Sequence, residues 1–289
     1  MKLFDGTNLS SIAKSLSKAF GVPAKQVPNL IKSYLLLNMQ SWGGGNLSLQ
    51  DFFEDCKKSR VLINTPTPQF DRVIFFHKTS LIDKGVFLRE KGLLDLDEML
   101  RVSSPLSEYL KKKGVEFFIK DKIPFICING IMQPLEDLPC TKTESSKRRI
   151  VNRLTKKDLN LEGITGFLFL CDMKNNTTYQ RIDNTPEFLL DLDGCIDGIV
   201  DEWRSISSPA ILQCEVDIES WFRPGDIGEQ ENNFEKSYEI AQQGFLCLAE
   251  VYGQQYIPRI KFRPDDYYPF IAHGFGVPPD RIIKTITRS

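Results

Sequence analysis

Histidine is almost absent from this chain: there are two in 289 residues, His77 and His273. That scarcity excludes a histidine-rich metal cage. The seven cysteines do not replace it, since no two of them form a C-x-x-C pair. Net charge is also missing. Lys and Arg number 37 against 38 Asp and Glu, for a balance of −1, so no global field draws the chain to nucleic acid or to an anionic membrane. Any such contact must come from a local patch. No apolar run approaches the roughly 20 residues that span a bilayer, and Met1-Lys2-Leu3-Phe4-Asp5-Gly6 has no apolar signal core. No Gly-x-Gly-x-x-Gly follows a strand, which disfavours a dinucleotide held in the Rossmann manner. Together these absences predict a soluble, cytoplasmic protein whose cysteines are small buried thiols in a reducing compartment.

What is present is an ordinary globular composition, 41% apolar and 26% charged. Apolar spacing predicts a first helix with Ile12, Leu16, Ala19 and Phe20 inside, ended by Gly21. A second helix opens at Val22-Pro23, and the pair reads as a helical hairpin rather than a helix-turn-helix, because no arginine-rich recognition face follows. Trp42-Gly43-Gly44-Gly45-Asn46 is a break. Further helices are predicted near 48–58, 83–92, 95–113 with a restart at Ser104-Pro105, from Thr185-Pro186 onward, and over 234–243. Strands are predicted near 73–77, 115–119, 124–128, 164–171, 210–218 and 245–252, with Asn129-Gly130 as a hairpin turn. Phe275-Gly276-Val277-Pro278 echoes Phe20-Gly21-Val22-Pro23, and both precede stretches that read as amphipathic helix. The pattern predicts an α+β protein: an N-terminal helical segment, residues 1–69, and an α+β domain, residues 70–289, with largely antiparallel sheets.

Two residues stand out chemically. His77-Lys78-Thr79 follows the buried run Val73-Ile74-Phe75-Phe76. Alternate residues of a strand share a face, so the imidazole and the hydroxyl can grip a sugar or a phosphate together. The bland alternative is a hydrogen-bonded structural histidine. At the far end Glu250 sits in the apolar run Phe245-Leu246-Cys247-Leu248-Ala249, where a carboxylate is costly to bury without a partner. It therefore faces a cleft or pairs with an arginine.

Phe76-His77-Lys78-Thr79, with Gly92-Leu93-Leu94 after it, resembles the first motif of ADP-ribosyltransferases with a His–Tyr–Glu pattern. Glu250, with Tyr256-Ile257-Pro258 after it, resembles their last motif. The resemblance covers residues 70–262 through short motifs only, and the long separation of the two motifs implies large insertions. It implies a cleft in the sheet that binds NAD as substrate, with His77 and Thr79 on the ribose, an aromatic on the nicotinamide, and Glu250 as the catalytic carboxylate. Tyr179 is the candidate aromatic, with Phe167 and Phe169 as alternatives. It implies no metal. The acceptor is a nucleic acid or a protein, and a toxic member implies an antitoxin-like partner. The basic stretch 142–157 offers Lys147, Arg148, Arg149 and Arg153 as phosphate contacts, although such a run is also what a solvated helix face looks like.

Three rivals share these residues. A two-histidine phosphoesterase needs a second His-x-Thr/Ser, and His273-Gly274-Phe275 lacks the hydroxyl. A nuclease built on Glu215, Asp217 and Glu219 competes with the plain reading of a strand with one polar side. A non-enzymatic regulatory or binding module predicts that neither NAD nor His77 matters.

Overall fold

The computed structural model describes residues 1–38, 47–121, 123–139, 144–155, 163–175, 185–222, 232–256, 260–262, 270–271 and 276–287. The chain order is β1 (Leu3–Phe4), α1 (Leu9–Phe20), α2 (Val27–Asn38), α3 (Leu49–Lys58), β2 (Arg72–Leu81), α4 (Val86–Lys91), α5 (Leu96–Arg101), α6 (Pro105–Lys112), β3 (Val115–Lys120), β4 (Ile123–Ile128) and β5 (Ile131–Pro134). It continues with α7 (Glu144–Thr155), β6 (Ile164–Thr165), α8 (Leu170–Asn175), α9 (Glu187–Leu192), α10 (Ile199–Ile206), β7 (Ser208–Asp217), β8 (Trp221–Phe222), α11 (Asn233–Gly253), β9 (Phe270–Ile271) and β10 (Ile282–Thr287). The fold is α+β. One sheet has the order β1-β2-β7-β10, with β1 parallel to β2 and β7 antiparallel to β10; a second, β3-β4-β5, is an antiparallel meander.

Two compact units divide the chain. Unit 1 takes residues 1–75, 167–174 and 215–269; unit 2 takes 76–166, 175–214 and 270–289. The expected helical segment 1–69 lies wholly in unit 1, which also draws on two later stretches. Unit 1 is built on α1, α2, α3 and the long helix α11. Asn8 caps α1 by accepting from the Ser11 N–H, and Gly21 closes it in the left-handed conformation at φ 70°. Ser48 caps α3 in the same way. Their apolar faces meet in an aromatic core, where the ring of Phe245 lies 5.0 Å from Phe52 and 6.0 Å from Tyr34.

Unit 2 is assembled from shorter pieces. Its core gathers α6, β3, β4, α7, α9 and α10 around Trp203, whose ring meets Tyr109 edge-on at 5.1 Å. Asn129 and Gly130 both take positive φ, 51° and 85°, between paired β4 and β5. This is the primed turn that the Asn-Gly pair predicts.

Four expectations fail. The run 244–252 is the end of helix α11, not a strand. A short apolar run does not distinguish a strand from a helix buried on all sides, and residues 245–249 are buried throughout. The decisive signal lies upstream, where Asn232 and Glu235 form a capping box that starts one continuous helix. Gly244 does not end it, because the ring of Phe4 packs where a Cβ would stand. The run 164–171 keeps only two strand residues before α8 begins. After Val277 the chain forms no helix beyond a single 3-10 turn; the β-branched Ile282-Ile283-Lys284-Thr285-Ile286-Thr287 pairs with β7. Finally, β2 does not stop at His77 but runs on to Leu81.

Of the cysteines, Cys56, Cys127, Cys171, Cys214 and Cys247 are thiols outside any disulfide. Burial pushes the Cys214 thiol up to about 12. Cys195 departs from the expectation, since it is disulfide-bonded.

Candidate functional site

The site lies in unit 2, on β2. Beyond β2 the turn into α4 is fixed by Asp83, whose carboxylate accepts from the backbone N–H of Gly85 at 2.9 Å and of Phe87 at 2.6 Å. Gly92, at φ 80°, ends α4 against the Val277 carbonyl, where a Cβ would stand only 2.1 Å away. Asp95 caps α5 by accepting from the Glu98 N–H at 2.8 Å. A cavity of about 280 Å³ lies among β2, α4, α5, β6, α9 and α10.

His77 and Thr79 both line this cavity. His77 Nδ1 lies 2.7 Å from the Thr165 carbonyl oxygen. A carbonyl only accepts, so Nδ1 carries the hydrogen and Nε2 keeps its lone pair. Burial lowers the pKa of His77, and the Thr165 hydrogen bond only partly opposes this. The residue is therefore a neutral imidazole with a fixed tautomer, an acceptor at Nε2. Nδ1 is committed to the fold through Thr165, while the ring borders an open space.

Most of the remaining wall is apolar, with Phe87, Leu93, Met99, Phe188 and Trp203 among its side chains. The Trp203 indole N–H donates to Ser80 Oγ at 2.8 Å, which ties α10 to the strand that carries His77. Arg153 also lines the cavity, and its side chain is only 11% exposed. It donates to Asp191 at 3.2 Å and reaches Glu187 at 2.6 Å; Asp191, itself buried, also holds Arg149. Glu187 is a wall residue whose side chain is 54% exposed. The other wall carboxylates, Asp83, Asp95 and Asp97, serve the turns already described or pair with Arg101.

Glu250 is elsewhere. It belongs to α11 in unit 1, where Oε1 accepts from the Phe262 N–H at 2.8 Å, and it is not among the residues lining the His77 cavity. Phe167 and Phe169 are buried in unit 1. Tyr179 and His273 fall outside the described residues. Within the basic stretch, Arg149 and Arg153 are used for ion pairs inside unit 2, while Arg148 is exposed and Lys147 half-buried. Glu215 and Asp217 pair with Arg72 in unit 1, as a polar strand side does. Among the described residues no three His, Cys, Asp or Glu side chains come together as a metal site, and no helix is long and apolar enough to cross a membrane.

Trp203, Ser80, Arg153 and Glu187 were not singled out from sequence as members of one site. Only Trp203 carried a signal, because a buried indole N–H needs an acceptor. Comparison with family models, curated proteins and solved structures finds no match to this chain.

Proposed function

We propose that unit 2 binds the nicotinamide–ribose half of NAD and transfers ADP-ribose from it to a macromolecular acceptor. One observation carries this reading. A neutral, tautomer-fixed His77 and the Thr79 hydroxyl border a mostly apolar cavity that contains aromatic side chains. Small-molecule pockets run from about 300 to 1,000 Å³. A volume of 280 Å³ falls just below that range, which suits one half of a dinucleotide better than the whole. In this reading His77 Nε2 and Thr79 take ribose hydroxyls, and the wall aromatics take the nicotinamide ring.

Breaking the glycosidic bond develops positive charge on the ribose, which a nearby carboxylate stabilises. Glu250 is bonded to Phe262 in unit 1, so the role passes to Glu187, the half-exposed carboxylate of the cavity wall. Arg153 reaches it at 2.6 Å and orients it on the cavity wall. Nucleic acid is the acceptor that the exposed Arg148 suits best, through phosphate contacts.

The test is titration calorimetry of NAD into the full chain, with chromatography of released nicotinamide. NAD should bind, and His77→Ala should weaken it at least tenfold. Glu187→Gln should bind NAD and release little nicotinamide, while Glu250→Gln should match the parent in both measurements. If NAD does not bind, or binds equally well to the His77→Ala variant, the reading is overturned. Loss of nicotinamide release in Glu250→Gln alone would return the catalytic role to that residue. Cleavage of cyclic nucleotides without NAD would favour the phosphoesterase.

A further inference from the structure

Among the described residues, the β3-β4-β5 meander of unit 2 leaves one apolar face partly exposed. Its register sets Phe118 opposite Phe125, Phe125 opposite Pro134, and Cys127 opposite both Glu116 and Met132. Directly opposed residues share a face, as do alternate residues of one strand. Phe118, Phe125, Pro134, Cys127 and Met132 therefore lie on one side, with Ile123 opposite Lys120 extending the row. The other side is the core side, where Ile126 is fully buried. On the uncovered side Phe118 is 41% and Met132 57% exposed.

Strand β3 is an edge of this sheet, so part of its backbone N–H and C=O groups point outward and are ready to pair with another strand. Its uncovered face reads Glu116, Phe118, Lys120, all exposed. The sequence is a charge palindrome with an aromatic at its centre. Among the described residues neither Glu116 nor Lys120 has an ion-pair partner.

We propose that a second copy of this chain docks here, edge to edge and antiparallel, with a twofold axis at Phe118. Antiparallel pairing about that axis places Phe118 against the partner's Phe118. Glu116 then faces the partner's Lys120, and Lys120 the partner's Glu116. On the opposite face Phe117 meets the partner's Ile119. A twofold interface requires one patch to be complementary to itself, and this strand supplies both halves of each charge pair. An unrelated partner would not need that symmetry. The pairing joins two three-stranded sheets into one and removes both β3 edges.

Sedimentation velocity of the full chain across micromolar concentrations tests the proposal. A reversible dimer is expected. Glu116→Lys sets Lys against Lys at both symmetric positions, and Lys120→Glu sets Glu against Glu. Each should raise the dimer dissociation constant by about tenfold, equivalent to about 1.4 kcal/mol. The double variant Glu116→Lys/Lys120→Glu restores both pairs and should dimerise like the parent. A chain that stays monomeric, single variants that dimerise normally, or a double variant no tighter than the singles would each overturn it.

Discussion

The two units stabilise themselves in different ways. Unit 1 is one long helix, α11, with shorter helices packed on it, and its interior is aromatic: Phe52 and Phe53 are at most 1% exposed and Phe245 is fully buried. Unit 2 has short helices and short strands. Many of its buried side chains are polar, Ser80, Asp95, Asp97, Ser104, Thr185 and Asp191 among them. Those groups cap helices, hold arginines or, in Ser80, accept from the Trp203 indole, and several of them line the cavity. The unit that fills its interior with rings contains the carboxylate that sequence reasoning prized. The unit that holds itself open with hydrogen bonds contains the histidine.

The sharpest way to break that contrast is to empty unit 1. Phe245→Ala removes a fully buried ring that touches Phe52 and Tyr34. A loss of about 3–5 kcal/mol is expected, read from the urea midpoint. A loss below about 1 kcal/mol would mean that the aromatic core is not tightly packed.

Next in size is Asp191→Ala in unit 2. Asp191 is almost fully buried and holds both Arg149 and Arg153. Removing it leaves the largely buried Arg153 with only the half-exposed Glu187, and breaking such a buried pair costs about 3–5 kcal/mol. Because Arg149 is itself partly exposed, the lower end is expected, about 3 kcal/mol. Asp191→Asn, which keeps an acceptor, should recover part of the loss in the same urea experiment.

Ser80→Ala is smaller. It removes the acceptor of the buried Trp203 N–H, and an unpaired buried donor costs about 1–3 kcal/mol. Trp203 fluorescence should shift along with the urea midpoint. A neutral result would mean that the indole finds another acceptor, and that this bond is not what fixes the wall beside His77.

The sequence made some of this legible and hid the rest for physical reasons. Local chemistry was readable: the helix end at Gly21, the restart at Ser104-Pro105, the Asn129-Gly130 turn and the alternating burial of β7 all follow from rules acting over a few residues. The run Phe245–Ala249 was misread because burial on every side erases periodicity, and the capping box that settles the matter stands more than ten residues upstream. His77 and Thr79 were found because a strand places alternate residues together. Arg153, Glu187 and Trp203 could not be joined to them from sequence, since they come from three helices that only tertiary packing unites. Glu250 was an inference from burial cost, and its actual partner, the Phe262 N–H, is a backbone group that side-chain patterning does not reveal.

The smallest effect separates a structural histidine from an ordinary exposed one. Burial lowers the pKa of His77 below its usual 6.5, so on acidification the unfolded chain binds a proton there before the native protein does. The stabilisation of the neutral ring is complete well above pH 6.5. It declines as pH falls through 6.5 toward the native pKa, at a rate of at most about 1.4 kcal/mol per pH unit. His77→Gln has no such proton to bind. The gap in stability between the parent chain and this variant, measured in urea at pH 7.5, 6.5 and 5.5, should therefore shrink with each step toward acid. A gap that stays constant would mean that His77 titrates alike in the folded and unfolded chains, and a gap that widens would mean that the folded protein holds the charged ring. The widening gap would remove the neutral acceptor at Nε2 on which the proposed ribose contact of His77 depends.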